Sequence, residues 1–477
     1  MFSPQPFYSI LHEVAGDEQM TERDVTYDLV EFAVKTTYDS LPYDVVEKTK
    51  LLILDTLACC VAGSSALGVK EVVELISKWN GEKESTVLIY GFKVPSLFAA
   101  FANSVMAHAR DLDDTHDFAV IHCCAPILPA ALSLAEYNNC NGKDLIESTA
   151  VAVEVLCRAG IGSPKPQVKG WFHTTTLGCM ASSIAAGKLL GLNMEQIMNA
   201  VGISYSQFAG NQQCLIEGSL TKRIQPAFAA KTGVFSALLA AKGITGPKDV
   251  LEGPYGFYKL YLDGKYDRDA ILDGLGEKFE MLNLSLKYYP SCRATHAAID
   301  AALSLRQEEN IKADQIDEVL VHVTPLTYSL AGRPYRIREN PEVDAQFSIP
   351  YTVARAFIRG DVFIDDFVDE KLRDPETIEL AGKVKVLVNP ELKESGAFLP
   401  LKMEVKMKNG KVYRKQINAL RGSPEKPMSM EECIEKFNKC VKHSIKQLSP
   451  EKQKKIVEMI SQLEKLDDIS KLIELFT

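Results

Sequence analysis

The sequence predicts a mainly α protein: a large all-helical domain built from both ends of the chain, with an α+β domain inserted between them. Three observations predict it. Helical periodicity runs almost unbroken from about Thr21 to Lys265, short β-branched runs begin only after about Lys287, and helical patterning returns after Gly422. The implied boundaries are 1–283 for the first helical part, 284–422 for the α+β domain and 423–477 for the helical return.

The elements can be justified in order. In Ser96–Arg110, Phe98, Phe101, Ala102, Val105, Met106 and Ala109 recur at three- and four-residue steps, which makes one apolar stripe. Cys179–Leu190 and Pro226–Lys242 are rich in Ala, Ser and Gly, a composition that lets helix backbones approach closely. Asn141-Gly142, Ser163-Pro164 and Gly243–Pro247 punctuate the helices. Val319–Val323 and Val384–Val388 read as strands. Met403–Met407 and Val412–Ile417 flank Asn409-Gly410, a strong hairpin signal. Asp374-Pro375 reads as a helix cap followed by proline in the first turn, and Ser429 to Glu432 as a capping box opening the last segment.

Composition narrows the function classes. Of 477 residues 46% are hydrophobic and 25% charged, as in a globular protein. Lys and Arg number 54 against 63 Asp and Glu, and a net charge of -9 argues against nucleic acid as the main partner. The longest apolar run, Leu51–Val61, is broken by Asp55 and is short of a membrane span. Met1–Gly16 lacks the basic start and apolar middle of a signal peptide, so the expected location is cytoplasmic. Eleven cysteines without a C-x-x-C pair predict reduced, buried thiols, with no zinc site and no cluster.

Several segments could carry chemistry. Arg110–Asp117 is the densest charge cluster, and if the preceding helix continues, His108, Asp111 and Thr115 share one of its faces, with His122 a short loop away. His173 opens a helix, where the positive dipole end favours a neutral ring and a nearby anion. Lys222 and Arg223 precede Pro226, read as a first helical position, so two cations and free N–H groups would form an anion cradle. Cys292, Arg293 and His296 place thiol, guanidinium and imidazole within five positions at the domain junction. Arg293 would lower the Cys292 pKa, yet with no orienting base in view Cys292 reads as a junction residue before a nucleophile. Tyr351 begins another helix and offers a phenol. A rival reading starts from two D-D-x-x-D runs, Asp113–Asp117 and Asp365–Asp369, which in helical isoprenoid enzymes hold magnesium against a diphosphate. A non-catalytic binding scaffold is the other rival.

Taken together, His108–Thr115, Gly170–His173, Glu217–Arg223, Ile244–Pro247 with Leu251–Gly253, Tyr289–His296 and Gln346–Tyr351 resemble the MmgE/PrpD family, in family order from about residue 25 to 475. The resemblance implies a helical domain from both chain ends with an inserted lid domain, in a homodimer. It implies action on small polycarboxylates without metal, iron–sulfur cluster or other cofactor. Carried over residue by residue, it makes Asp111, His122, His173, Lys222 and Tyr351 catalytic, with Thr115, Arg223, Cys292, Arg293 and His296 binding substrate. The decarboxylase branch of the family has a histidine where this chain has Cys292, and one residue fewer between Thr115 and His122. Both departures count against cis-aconitate decarboxylation without by themselves establishing dehydration; the expected reaction is 2-methylcitrate-type dehydration, ahead of epimerisation of an iminodisuccinate-like dicarboxylate or cis-aconitate-type decarboxylation.

Overall fold

The computed structural model describes residues 23–79, 81–163, 169–392 and 398–477; the Met1–Gly16 stretch and most of the loop after Ser163 lie outside them. The first part is a layered helical assembly: α1 (Tyr43–Gly63), α2 (Ser96–His108), α3 (Cys124–Tyr137), α4 (Gly142–Ile161), α5 (His173–Leu189), α6 (Met194–Tyr205) and α7 (Thr221–Ala241). Helix α7 is at its centre, packed on α5, α2, α6 and α3. That burial explains why α7, which is long and apolar enough by composition to cross a membrane, is a core helix here. The small-residue composition has the consequence expected of it: a Cβ on Gly233 of α7 would lie 2.3 Å from the Cβ of Ser182 on α5. On α1, a Cβ on Gly63 would lie 1.9 Å from the Met106 carbonyl oxygen of α2.

Apolar side chains form two clusters. The first runs from Val25 to Leu286 and resumes from Met428 to Phe476, with Phe363 and Ile364 added to it. The second runs from Tyr289 to Leu420. Its four strands, β1 (Ile316–Val323), β2 (Val384–Val388), β3 (Leu401–Met407) and β4 (Val412–Ile417), lie in the order β2-β1-β3-β4; β1 and β2 are parallel and the other pairs antiparallel. The hairpin at Asn409-Gly410 forms as its residues demand, with Gly410 at φ +85°. Helices α8 (Arg293–Glu308) and α10 (Ile349–Arg359) pack on this sheet, and the short α9 (Pro341–Gln346) precedes α10. The caps at Asp374 and Ser429 form too, the latter opening α11 (Met430–Val441).

The returning chain is fastened by charge. Lys436 of α11 donates to Asp55 Oδ1 of α1 at 2.5 Å and to the Leu112 carbonyl at 2.8 Å, with both side chains out of solvent. Removing one partner of a buried pair strands the other charge, whereas replacing both with apolar groups is often neutral. Lys436→Ala is therefore expected to lower unfolding stability by about 3–5 kcal/mol. The double substitution Asp55→Leu/Lys436→Met should recover most of that loss, and urea denaturation of the two variants checks the pair.

Candidate active site

The site begins where α2 stops. The helix ends at His108 instead of continuing through Thr115, because Asp111 takes a left-handed backbone with φ +53°. Asp tolerates that conformation better than most residues, so it ends the helix as a C-terminal glycine would. The expected column of His108, Asp111 and Thr115 on one helical face does not form. The chain instead folds inward, and Asp111, Asp113 and Asp114 are all buried.

Each carboxylate of this loop has its own partner. Asp111 is ion-paired to Lys222, and Lys287 reaches its carbonyl oxygen at 3.0 Å and its Oδ1 at 3.4 Å. Asp113 Oδ2 lies 2.8 Å from His108 Nδ1 and 3.3 Å from His122 Nδ1. Asp114 accepts from the backbone N–H groups of Cys123 and Cys124 at 2.9 and 3.0 Å and so caps α3. Asp117 holds Arg293 through both oxygens, at 3.0 to 3.2 Å, and accepts from Ser285. In the second D-D-x-x-D run, Asp366 accepts from Arg355 and Arg359, and Asp365 and Asp369 pair with Arg359 and Arg373. These acids are engaged by protein cations and N–H groups rather than presented together to a diphosphate-bound magnesium, which removes the basis of the isoprenoid reading.

Seven of the ten predicted side chains line one small cavity: Asp111, Thr115, His122, His173, Lys222, Cys292 and Arg293. Trp171, Phe172, Phe347 and Phe398 supply much of its apolar wall. The other three are elsewhere. Tyr351 lies in the second core with its phenol donating to the Asp366 carbonyl, because Pro350 and the Ser348 cap turn this face of α10 inward. His296 is held behind the wall, Nδ1 3.3 Å from Arg293 and Nε2 3.3 Å from the Ser291 carbonyl. Arg223 donates to the Leu67 carbonyl at 2.8 Å and pairs with Glu342 at 2.9 Å. The expected helix start at Pro226 does not hold: α7 begins at Thr221, so Lys222 and Arg223 lie in its first turn, with their N–H groups already donating to the Ser219 and Leu220 carbonyls at 3.3 and 3.0 Å.

Lys287 was not singled out from the sequence. It is fully buried and lines the cavity. A signal for it exists: in the run Leu284-Ser285-Leu286-Lys287, period-two alternation puts Ser285 and Lys287 on one side, away from the two leucines. Those two side chains bond the acidic loop, at Asp117 and Asp111.

Electrostatics sort the groups by task. Burial would raise the Asp111 carboxyl, but Lys222 and Lys287 override it and hold it far below the usual carboxylate range. Asp113 behaves likewise, kept ionised against burial by His108 and His122. Burial, with Asp111 next in effect, pushes the Cys292 thiol up to about 11, so the neighbouring Arg293 does not make it a thiolate. His122 Nδ1 lies 2.7 Å from the Asp114 carbonyl oxygen, which can only accept. The ring proton is therefore on Nδ1, and in the neutral form the Nε2 lone pair is left for the cavity. Among the described residues, His108, Asp113 and His122 are also the one group with three potential metal-ligand atoms within 4.8 Å of one another. Both Nδ1 atoms already face the Asp113 carboxylate, an arrangement that serves a proton relay directly.

Burial also pushes His108 down to about 4 and His173 down to about 3. In the unfolded chain both return to about 6.5, so below that pH the unfolded state binds protons that the folded state refuses. Stability should fall as pH drops from about 6.5 toward 4, by about 2 kcal/mol per histidine at about pH 5. The losses from Asp111 and Asp113 come only below about 4. Urea midpoints at pH 7.5 and 5 check this: His173→Gln should lose part of the wild-type drop, and an unchanged drop would clear His173 of it.

Comparison with known proteins agrees with the organisation of the site. Residues 27–269 match the MmgE/PrpD N-terminal domain and residues 289–464 the MmgE/PrpD C-terminal domain. The cis-aconitate decarboxylase of Aspergillus terreus is 28% identical over 94% of this chain and 95% of its own length. The cis-aconitate decarboxylase of Homo sapiens is 27% identical, over 90% of each chain. The 2-methylcitrate dehydratase of Cupriavidus necator is 24% identical over 77% of this chain and 78% of its own. The chain is thus a lyase-type enzyme that belongs to the MmgE/PrpD family.

Proposed function

We infer that the protein removes a proton from the carbon next to a carboxylate of a small polycarboxylate, without a metal, and that the outcome is dehydration of a 2-methylcitrate-type hydroxy acid. The observation that carries this is His122, its Nδ1 fixed on the Asp114 carbonyl, lining one cavity with two buried lysines that share one carboxylate. His122 Nε2 takes the proton, and the electron pair left on carbon is drawn toward the adjacent carboxylate. Lys222 and Lys287 stabilise that charge; fixed cations aimed at a developing anion are usually the main source of rate acceleration in such sites. The neighbouring C–O bond breaks, the double bond forms, and the His122 imidazolium returns its proton to the leaving hydroxyl as water. Asp113 balances the transient imidazolium. Thr115 and His173, which line the same cavity, position the substrate.

Cys292 is what favours dehydration. With its thiol at about 11 and His173 at about 3, neither is a strong proton donor at neutral pH, and one imidazole that both takes and returns the proton suffices for losing water. The second reading is cis-aconitate-type decarboxylation, in which carbon dioxide leaves and carbon gains a proton. It is favoured by the decarboxylases' fuller coverage, 94% and 90% of this chain against 77% for the dehydratase.

The unit built on residues 289–420 acts as a lid in this reading. The cavity holds about 50 Å³. At about 10–15 Å³ of such space per water, that is room for only a few waters. A polycarboxylate enters only if the walls part, and Glu342, paired with Arg110 at 2.8 Å and Arg223 at 2.9 Å, is one of the contacts across that boundary.

Proton NMR in deuterated water with 2-methylcitrate, citrate, cis-aconitate and iminodisuccinate tests the reaction. The expected result is water loss from 2-methylcitrate, undiminished by chelator, and reduced by about 10²-fold or more in His122→Asn and Lys222→Ala. Carbon dioxide release from cis-aconitate would select the second reading. Deuterium exchange without net loss would select epimerisation.

The protein is also proposed to work as a homodimer. Phe228 and Phe235, two turns apart on α7, are 44% and 51% exposed, and Phe228 meets Phe101 of α2 at 5.4 Å between ring centres. An apolar stripe of this kind on a core helix marks an association surface. Light scattering should give twice the 52.7 kDa chain mass, falling to a single chain in Phe228→Glu/Phe235→Glu. A wild-type monomer would refute the dimer.

A further inference from the structure

A second hollow of about 480 Å³ lies against the first. Gln212, Leu215, Leu330 and Phe347 line both, so the outer space meets the inner cavity at a mostly apolar waist. Three guanidinium groups line the outer space, from Arg333, Arg336 and Arg338. Arg338 is already spoken for: it pairs with Asp344 and donates to the Ile216 carbonyl at 2.5 Å. Arg333 and Arg336 are exposed and have no ion pair or side-chain hydrogen bond among the described residues. Asp344, the one carboxylate lining this hollow, is thereby neutralised by Arg338. Two uncompensated arginines in a concave space reverse the local sign of a chain whose net charge is -9. A charged cleft with low-dielectric walls focuses its field and concentrates ions of the opposite sign. Arginine suits the task, since its planar fork matches a carboxylate with two parallel hydrogen bonds.

We propose that this hollow is an anion-binding vestibule, in which Arg333 and Arg336 take the carboxylates of the incoming polycarboxylate before it passes the waist to Lys222 and Lys287. The inference rests on the function proposed above and adds to it a place where substrates are sorted by charge. The 50 Å³ inner cavity gives the vestibule its purpose, because a substrate too large for the closed site must be held while the waist opens. Phe347 is the side chain placed to couple the two spaces: it lines both, and its ring centre is 5.4 Å from the Lys222 ammonium. A dianion and a trianion are thus distinguished before either meets the base.

The test compares Arg333→Gln/Arg336→Gln with Lys242→Gln/Lys265→Gln, which removes the same charge from exposed positions outside both hollows. Steady-state kinetics on the compound turned over in the NMR panel are measured at low and high ionic strength. Binding of tricarballylate, an unreactive tricarboxylate, is followed by titration calorimetry. The arginine double variant should raise KM and the tricarballylate Kd about tenfold, leave kcat within about twofold, and flatten the fall of kcat/KM with salt. The lysine pair should change none of these. Wild-type turnover with an arginine variant unchanged in KM and salt response overturns the vestibule alone. A wild-type protein that neither turns over a panel compound nor binds tricarballylate overturns the proposed function as well.

Discussion

The Asp111 carboxylate between Lys222 and Lys287 is the interaction on which the rest depends. All three groups are out of water, at 2%, 5% and 0% exposure. Taking an ion out of water costs several kcal/mol even after relaxation, and a mutual attraction recovers that only in good geometry. Here two cations share one anion, so the cluster carries one positive charge more than it neutralises. An incoming carboxylate completes the set. The arrangement is held by backbone as much as by charge, for Lys287 also bonds the Asp111 carbonyl, and Asp111 owes its position to a reversed backbone at φ +53°. In the function proposed above, a preference for polyanions is thus built into the unbound protein.

This cluster takes its parts from the loop after α2, from α7, and from the strand before the second core. Its geometry follows the relation between the two apolar clusters. Asp117 grips Arg293 across that boundary, and Gln346 donates to the Arg110 and Pro290 carbonyls at 3.0 and 3.2 Å. The seam is polar and charged, where each core is apolar. A seam of that kind can separate and re-form, as buried ion pairs need geometric precision more than they add net stability. Packing fixes the two bodies, while charge pairing fixes how they meet, which is also where the cavity lies.

Helices and the hairpin were legible because periodicity and turn residues are local. The three-, four-residue stripe of α2, the Asn409-Gly410 turn and the caps at Asp374 and Ser429 need no knowledge of distant partners. The site was legible only by resemblance, and incompletely. Continuing α2 through Thr115 followed from its stripe, but the chain turns at Asp111, which takes a left-handed backbone and pairs with Lys222 and Lys287, more than a hundred residues away. Tyr351 sits in a motif shared with the family, yet its direction is set by the packing of α10 on the sheet. Lys287 hid in an apolar run because a lysine there reads as an interruption, and only its alternation with Ser285 gave it away. Burial is what the sequence reports least well: it goes with an Asp113 held ionised by imidazoles, a His108 ring kept neutral and a Cys292 thiol kept protonated.

The His108–Asp113–His122 chain explains why one apparatus can serve several outcomes. Asp113 is kept ionised by two imidazoles, so the proton that His122 accepts is stabilised by a charge already in place, with no reorganisation at that moment. His108, kept toward its neutral form by burial and with its Nε2 unpartnered, holds Asp113 Oδ2 at 2.8 Å. In the function proposed above, this set of groups fixes the cost of moving a proton on and off carbon, and His122 passes the same proton to the departing hydroxyl. Position 292 is on that wall, within the field of Asp111, and a thiol there neither competes with His122 for the proton nor offers one of its own. In that reading the outcome turns on the fate of the carbanion-like intermediate, since Cys292 and His173 both line the cavity and neither is a strong proton donor at neutral pH.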